Sequence, residues 1–452
     1  MKILIVAGGT GSIALQTGLY NMLDKQLDGV DTKILTNAWD NGKSTGAVRQ
    51  VMGGHILGPS DVRKNQTTRL ELENPSSPWL PFLNIRFTVE SSKAKQFCLD
   101  SINALDTALE EIDAKWIVSK KITVINLLRE AVEEYFAVPI ASQIDYSDFS
   151  LANIIYAGFA KANGNSLRRA ASIMATLMGI KDNVILNDDT SLFLGAITKS
   201  GKRITDEGDI VSWGNVEDPF VDIFFTDSNG QEKTPVLCDE ARDAILAADL
   251  VILSSGTQWS SLIPTYASTG FADTMREFAG LGGKVLMVMN RQPDKDSPGQ
   301  TATDIIDILV PKYFQPQQLH VIVDSSGSPM MNELSGAALW NVTSLNSFDL
   351  RTGCVGTRFN TIHSSEKLAK AIGATYFSEY LDSDHYMFDY DDTLIGRGNK
   401  FPLASDFNAH TIGLIHERKN VSICTGNSIK AVRIKDVGGK VDPLSFDIVH
   451  TP

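Results

Sequence analysis

The segment Gly8-Gly9-Thr10-Gly11-Ser12 follows directly on an apolar run, KILIVA, and leads into a helical pattern. A glycine turn that feeds a helix aims backbone N–H groups and the positive helix end at one point, where a phosphate can sit. From Gly9 to Ala14 the spacing satisfies the loose dinucleotide fingerprint, with Ala in place of the third glycine. The competing reading is a tight strand-to-helix turn with no ligand. The fingerprint also asks for an acid at the end of the second strand, where this chain has Asn37 and only then Asp40, in poor register.

Two further clusters carry the same chemistry. The stretch TNAWDNGKSTGAVRQ places Asp40, Asn41, Lys43, Ser44 and Thr45 around Gly42 and Gly46, and GPSDVRKNQ adds Asp61, Arg63 and Lys64. Asp40 or Asp61 can hold a Mg²⁺ whose other partner is a diphosphate, while Lys43, Arg63 and Lys64 offset the ligand's charge. A solvated polar loop is the plainer reading of any one of these residues. SSGTQWSSLIPT, from Ser254 to Thr265, follows another apolar run and offers Ser255, Gly256 and Thr257 as a second phosphate grip. Turns at the carboxyl ends of parallel strands converge, so residues 8–12, 40–46 and 254–257 are expected to border one crevice.

In HYMFDYDDTLIGR, Asp389 and Asp391 alternate at a strand end, so both point the same way and can share a Mg²⁺; Thr393 closes the turn. The strand VSICT ends at Thr425, followed by Gly426 and Asn427. His55, His363, His385 and His410 show no paired metal spacing. No G-x-S-x-G elbow occurs, and NGKST has the tail of a P-loop without its first glycine at the required distance.

The elements that must position these residues are legible as short apolar runs. They are residues 2–7, 32–38, 249–256, 284–290 and 320–327, separated by helix-length stretches. Such alternation predicts an α/β fold, a Rossmann-like doubly wound parallel sheet with both faces covered. Ile102, Leu105, Leu109 and Ile112, then Leu167, Ala171, Met174 and Met178, keep helical spacing and read as a helical insertion over about 88–180. From Asn187 to Phe225, turn glycines and alternating segments suggest a β-rich excursion. A seam near Asp382 to His385 divides the chain into domains of 1–381 and 382–452.

With 452 residues, about three domains are affordable on a prior of ~150 residues each, although α/β folds often run longer. The 43% hydrophobic and 21% charged content excludes disorder. A formal charge of −13 argues against general nucleic-acid binding, since phosphate backbones are held by cation excess. Cys98, Cys238, Cys354 and Cys424 lie far apart, unlike a zinc cage or disulfide framework, and a reducing cytoplasm fits them. With no long apolar span and no leader pattern, no membrane partner is expected. The oligomer is left open, a homodimer being one option.

In their order, AGGTGS, WDNGKSTGAVR, GPSDVRKN, DFSLANIIYAG, AADLVILSSGTQWSSLIP and VMNRQPDKDSPGQTATD resemble the 2-phospho-L-lactate transferase family over about residues 1–380. That family includes the gluconeogenesis factors, thought to bind UDP-sugars. Its glycine turn is matched by Gly8, Gly9, Thr10 and Gly11, and its acidic loop by Asp40 to Gly46, where the first acid survives and the second is Asn41. Its P-G-D-I-R-N pattern is matched by Pro59 to Lys64, and its S-x-G-N-L by Ser150 to Ile154 with Ala152 for glycine and Asn153 retained. Its G-P-G turn is matched by Ser254, Ser255 and Gly256, followed by Thr257. The tail resembles the haloacid-dehalogenase (HAD-like) phosphohydrolases. There the first acid is nucleophile and the second acid/base, implying those roles for Asp389 and Asp391 and phosphate binding for Thr425. Only a partial domain is expected, because Lys430, Lys435 and Lys440 lack the strand context that would aim an ammonium at the phosphate.

Together these readings predict a transferase that holds a nucleotide-diphosphate-linked donor, of UDP or GDP type, with Mg²⁺ at Asp40 or Asp61. It would move a phosphorylated group to an acceptor hydroxyl, a reaction in which positioning and charge neutralisation do most of the work. A regulator that binds a UDP-sugar without turnover is the alternative, and an NAD(P)-dependent oxidoreductase rests on the glycine turn alone.

Overall fold

The computed structural model describes residues 1–24, 30–110, 118–314, 319–324, 342–348, 362–377, 385–389, 420–425 and 447–450. Its first strand, β1 (Lys2–Val6), is a β-branched run buried after its first residue. Such runs, apolar on both faces, belong at the centre of a covered parallel sheet. After α1 (Ile13–Leu19) comes β2 (Asp31–Thr36), followed by α2 (Lys43–Val51) and α3 (Ser60–Glu73). The helical insertion then runs through α4 (Trp79–Leu83), α5 (Ala94–Glu110), α6 (Val118–Phe136), α7 (Leu151–Ala162) and α8 (Leu167–Met178). It starts slightly earlier than the periodicity suggests, because the short apolar turn WLPFL already packs inward. Ile102, Leu105, Leu167, Ala171, Met174 and Met178 are all buried, as their spacing predicts, and Ile112 lies outside the described residues.

The chain returns to the sheet as β3 (Val184–Leu186), three buried residues too short to carry a period of their own. The β-rich excursion is an antiparallel sheet of β4 (Phe193–Thr198), β5 (Arg203–Ile204), β6 (Phe220–Thr226) and β7 (Glu232–Lys233), in the order β5-β4-β6-β7. The short helix α9 (Glu207–Val211) lies within it. Next come α10 (Asp239–Leu246), β8 (Leu250–Leu253), α11 (Ile263–Tyr266), α12 (Phe271–Gly280) and β9 (Lys284–Val288). After them follow α13 (Ala302–Leu309), β10 (Leu319–Asp324), β11 (Val342–Phe348) and α14 (Ser365–Phe377).

Seven strands form one parallel sheet in the order β11-β10-β9-β8-β1-β2-β3. From β1 the chain moves outward through β2 to β3, then crosses back to β8 and moves outward on the other side. The topological switch point therefore lies between β1 and β8, where ligands of open α/β sheets bind beyond the carboxyl ends. β3 and β11 are additions to the five strands legible in the sequence.

A second parallel sheet joins β12 (His385–Asp389), β13 (Asn420–Thr425) and β14 (Asp447–His450) in that order. Its backbone register pairs Asp389 with Cys424, so Asp389 and Thr425 both stand at carboxyl ends of adjacent strands. Asp391, Thr393, Gly426, Asn427, Lys430, Lys435 and Lys440 lie outside the described residues. No helix among the described residues is long and apolar enough to cross a membrane, and Cys98 and Cys238 are free thiols.

Candidate functional site

At the switch point the strand ends open into a cleft of about 730 Å³. Gly8, Gly9, Thr10 and Gly11 after β1, Asp40 after β2, and Ser255, Gly256 and Thr257 after β8 all border it. Asp61 and Lys64 of α3, Glu207 of α9, and Asn290, Asp294 and His363 add to its polar lining. Three turns separated by up to 250 residues thus meet, as expected from their places at neighbouring strand ends.

Glycine is required where these turns touch. A Cβ on Gly11 would stand 2.5 Å from the Ser255 carbonyl oxygen and 2.7 Å from Gly256 Cα. The Ser255 hydroxyl donates to the Gly11 carbonyl at 3.0 Å, tying the first and third turns together. Ser12 is buried and does not border the cleft; its hydroxyl accepts from Gln16 at 2.8 Å, and Gln16 also donates to Asn65 at 2.6 Å. Asn65 donates in turn to the Gly8 carbonyl at 3.1 Å, so a buried polar chain holds the glycine turn in shape. Among the described residues, the N–H groups of Thr10 and Gly11, which border the cleft, have no acceptor, which leaves them available to an anion. The Gly256 N–H is not available, because it donates to Asn290 Oδ1 at 2.8 Å. Within the expected second grip, Gly256 therefore shapes the turn, which Asn290 holds, and only Ser255 and Thr257 are left to face a ligand with their N–H groups.

The acids of the site are crowded. Asp61 is nearly buried in the first turn of α3, faces the Gly9 N–H and pairs with Lys64 at 3.3 Å. Burial pushes its carboxyl up, with Lys64 opposing and Asp40 adding to the rise. Glu207 is pushed to about 8, first by burial and then by Asp40, with which it is in hydrogen-bonding reach; Asp61 adds to the effect. Asp40, Asp61, Glu207 and Asp294 against Lys64, the one cation of the lining among the described residues, make a site that is stabilised by an added cation. Asp40 itself is positioned by backbone contacts. Its side chain accepts the Gly42 N–H at 2.9 Å, and buried Arg49 donates to the Trp39 carbonyl at 3.2 Å.

Several predicted residues do other work. Arg63 is buried and does not border the cleft; one guanidinium N–H reaches the Leu83 carbonyl at 3.5 Å, and burial depresses its basicity. Neighbours on a helix point about 100° apart, so Lys64 faces the site and Arg63 the interior. Asn153 is fully buried in α7 and donates to Ser44 at 3.2 Å and Ser60 at 3.4 Å, so it and Ser44 pin α2, α3 and α7 together rather than line the cleft. Lys43 opens α2, and its side chain lies outside the described set. Asn37, where the dinucleotide fingerprint wants an acid, is buried and donates to Thr265 at 3.1 Å.

Sequence reasoning missed Glu207, Asn290 and Asp294, and weighed His363 only as a metal ligand. The segment TDEGD shows only a helix cap, with Asp206 accepting the Asp209 N–H, and gives no local sign that the next residue faces the β2 turn. Asp296 also escaped notice. It is buried, pushed up to about 7 chiefly by burial, and accepts the Trp259 and Ser260 N–H groups at 2.9 and 3.1 Å, anchoring the turn after β8.

Comparison with known proteins agrees with this geometry. The family described as 2-phospho-L-lactate transferase CofD matches residues 3–335. The gluconeogenesis factor of Halalkalibacterium halodurans is 23% identical over 164 residues, 36% of this chain and 48% of that protein. Proteins of Streptococcus pyogenes and Lactococcus lactis, provisionally given the same name, are 23% and 24% identical over 28% and 29% of this chain, and 38% and 40% of their own. The matched segments thus span less than half of these relatives. A UPF0052 family protein from Bacillus halodurans superposes with a TM-score of 0.59 over 82% of this chain and 98% of that one, at 18% identity, so the likeness is one of fold.

Proposed function

The chain belongs to the 2-phospho-L-lactate transferase CofD family, and from that premise we propose that its cleft binds a nucleotide-diphosphate-linked donor and transfers a phosphorylated group to an acceptor hydroxyl. The observation that carries this reading is the convergence of unaccepted N–H groups, Lys64 and the Asp40–Asp61–Glu207 acids on one cleft at the switch point. The N–H groups of Thr10 and Gly11 and the Lys64 ammonium take the phosphates. Asp40 and Asp61 fit Mg²⁺, which characteristically uses one or two carboxylates together with phosphate oxygens and water. When bound, Mg²⁺ would neutralise charge on the transferring group; the protein's own part is to hold the donor in line.

A second reading, a regulator that binds a nucleotide sugar without turnover, is favoured by Asn41 in place of the loop's second acid and by the names of the curated relatives. For the tail, the paired strand ends at Asp389 and Thr425 support a partial HAD-like phosphatase segment.

Calorimetry with GDP, UDP and UDP-glucose, with and without Mg²⁺, tests the common core of both readings. Absence of binding by all three defeats both. Phosphorus NMR on the bound donor with candidate hydroxyl acceptors then separates them: consumption of the donor supports the transferase, and an unchanged donor across acceptors supports the regulator.

A further inference from the structure

His363 stands in the wall of the cleft and has no part in the phosphate chemistry above. It is 5% exposed and sits just ahead of α14. Its segment is fixed from below: the buried Arg291–Asp324 pair joins the ends of β9 and β10, and Arg291 donates to the Ile362 carbonyl at 3.2 Å. The close packing of α14 on α1 fixes it from the side, since a Cβ on Gly18 would overlap the Ser365 carbonyl.

The ring is neutral, its basicity lowered to about 4 by burial first and by Arg291 second. A neutral imidazole has one N–H and one bare acceptor. The Met289 carbonyl faces the ring and can be met only by the N–H. The acceptor is left over, and Nε2 is buried with no hydrogen-bond partner among the described residues. A buried acceptor without a donor is costly, by about 1–3 kcal/mol, and a bare acceptor repels phosphate oxygens. In the same cleft, Ile13 and Ile362 are 39% and 41% exposed, among the large apolar side chains left open in the described residues.

We propose that His363, in the same cleft as Ile13 and Ile362, is the specificity-determining contact for the uncharged organic part of the ligand, where the imidazole accepts a hydrogen bond from a hydroxyl or ring N–H. This rests on the nucleotide-binding reading. The phosphates then lie against the glycine turn and Lys64, and the donor-bearing nucleoside or hexose lies against the α14 side. Apolar walls with one well-placed polar group are how such pockets select orientation.

The test is calorimetry on the full chain and its His363→Phe and His363→Gln variants, with UDP, UDP-glucose and inorganic pyrophosphate as probes and thermal unfolding as a fold check. His363→Phe keeps the ring's volume and is expected to weaken UDP or UDP-glucose about fivefold to tenfold while leaving pyrophosphate unchanged. His363→Gln, which restores an acceptor, should recover part of the loss. Weakening of UDP itself places the donor on the nucleoside; weakening of UDP-glucose alone places it on the hexose. Folded His363→Phe protein that binds both nucleotides as tightly as the parent overturns the inference, as does an equal loss for pyrophosphate. If the parent protein binds none of the probes, the nucleotide reading itself fails and takes this inference with it.

Discussion

Asp61 rests on Gly9: any Cβ at position 9 would overlap the Asp61 carboxylate and stand 2.6 Å from Lys64 Cδ. The acid–cation pair Asp61–Lys64 of the cleft lining is therefore packed against the bare backbone of the glycine turn.

Gly9→Ala should displace that pair and weaken nucleotide binding on the order of tenfold, since a charge-assisted contact is worth about 1.5–3 kcal/mol. Position 9 has no left-handed φ, so the cost to thermal stability comes from displacing the buried Asp61 carboxylate rather than from the backbone. Calorimetry beside a melting curve checks both; a large drop in melting temperature with unchanged affinity contradicts the assignment.

Lys64→Ala and Arg63→Ala should part company. Lys64 is partly exposed in the cleft, so its loss should reduce affinity for pyrophosphate about tenfold with little change in stability. Arg63 is buried, so truncation should cost about 2 kcal/mol or more of stability through the cavity it leaves. Denaturant unfolding and calorimetry on both variants decide it.

Glu207 should make the protein less stable as pH rises. Its carboxyl is held at about 8 in the folded chain against 4.5 as the ordinary value, so between these limits the folded state keeps a proton that the unfolded state has lost. Stability from this group is complete below about pH 4.5 and is lost as pH climbs through 8. Asp61 and Asp296, both raised, act in the same direction. Glu207→Gln should flatten part of the slope between pH 5 and 8 in unfolding curves; an unaltered slope contradicts the burial argument.

Asn153→Ala should lower stability by about 1–3 kcal/mol by removing the hydrogen bonds from its amide to Ser44 and Ser60, Ser60 keeping Thr45 as a partner. Any effect on ligand affinity is expected to be smaller than that of Lys64→Ala. Loss of binding with intact stability would instead make Asn153 a ligand contact.

What the sequence by itself determined is local. Buried runs such as KILIV and LVIL carry their own strand signal, Gly8 to Ser12 carry their own turn, and the spacing of Leu167, Ala171, Met174 and Met178 marks its own inward face. Those patterns sufficed for a parallel α/β sheet and for the meeting of three turns, because the ends of neighbouring parallel strands must lie together. Only the tertiary structure decided which side chains reach the cleft. Lys64 and Arg63 are chemically alike and adjacent, and a rotation of about 100° along α3 sends one to the cleft and the other to the core. Glu207 comes to Asp40 from a separate antiparallel sheet, and His363 comes from beyond β11. Such contacts leave no local periodicity, because their partners are fixed by packing between elements far apart along the chain.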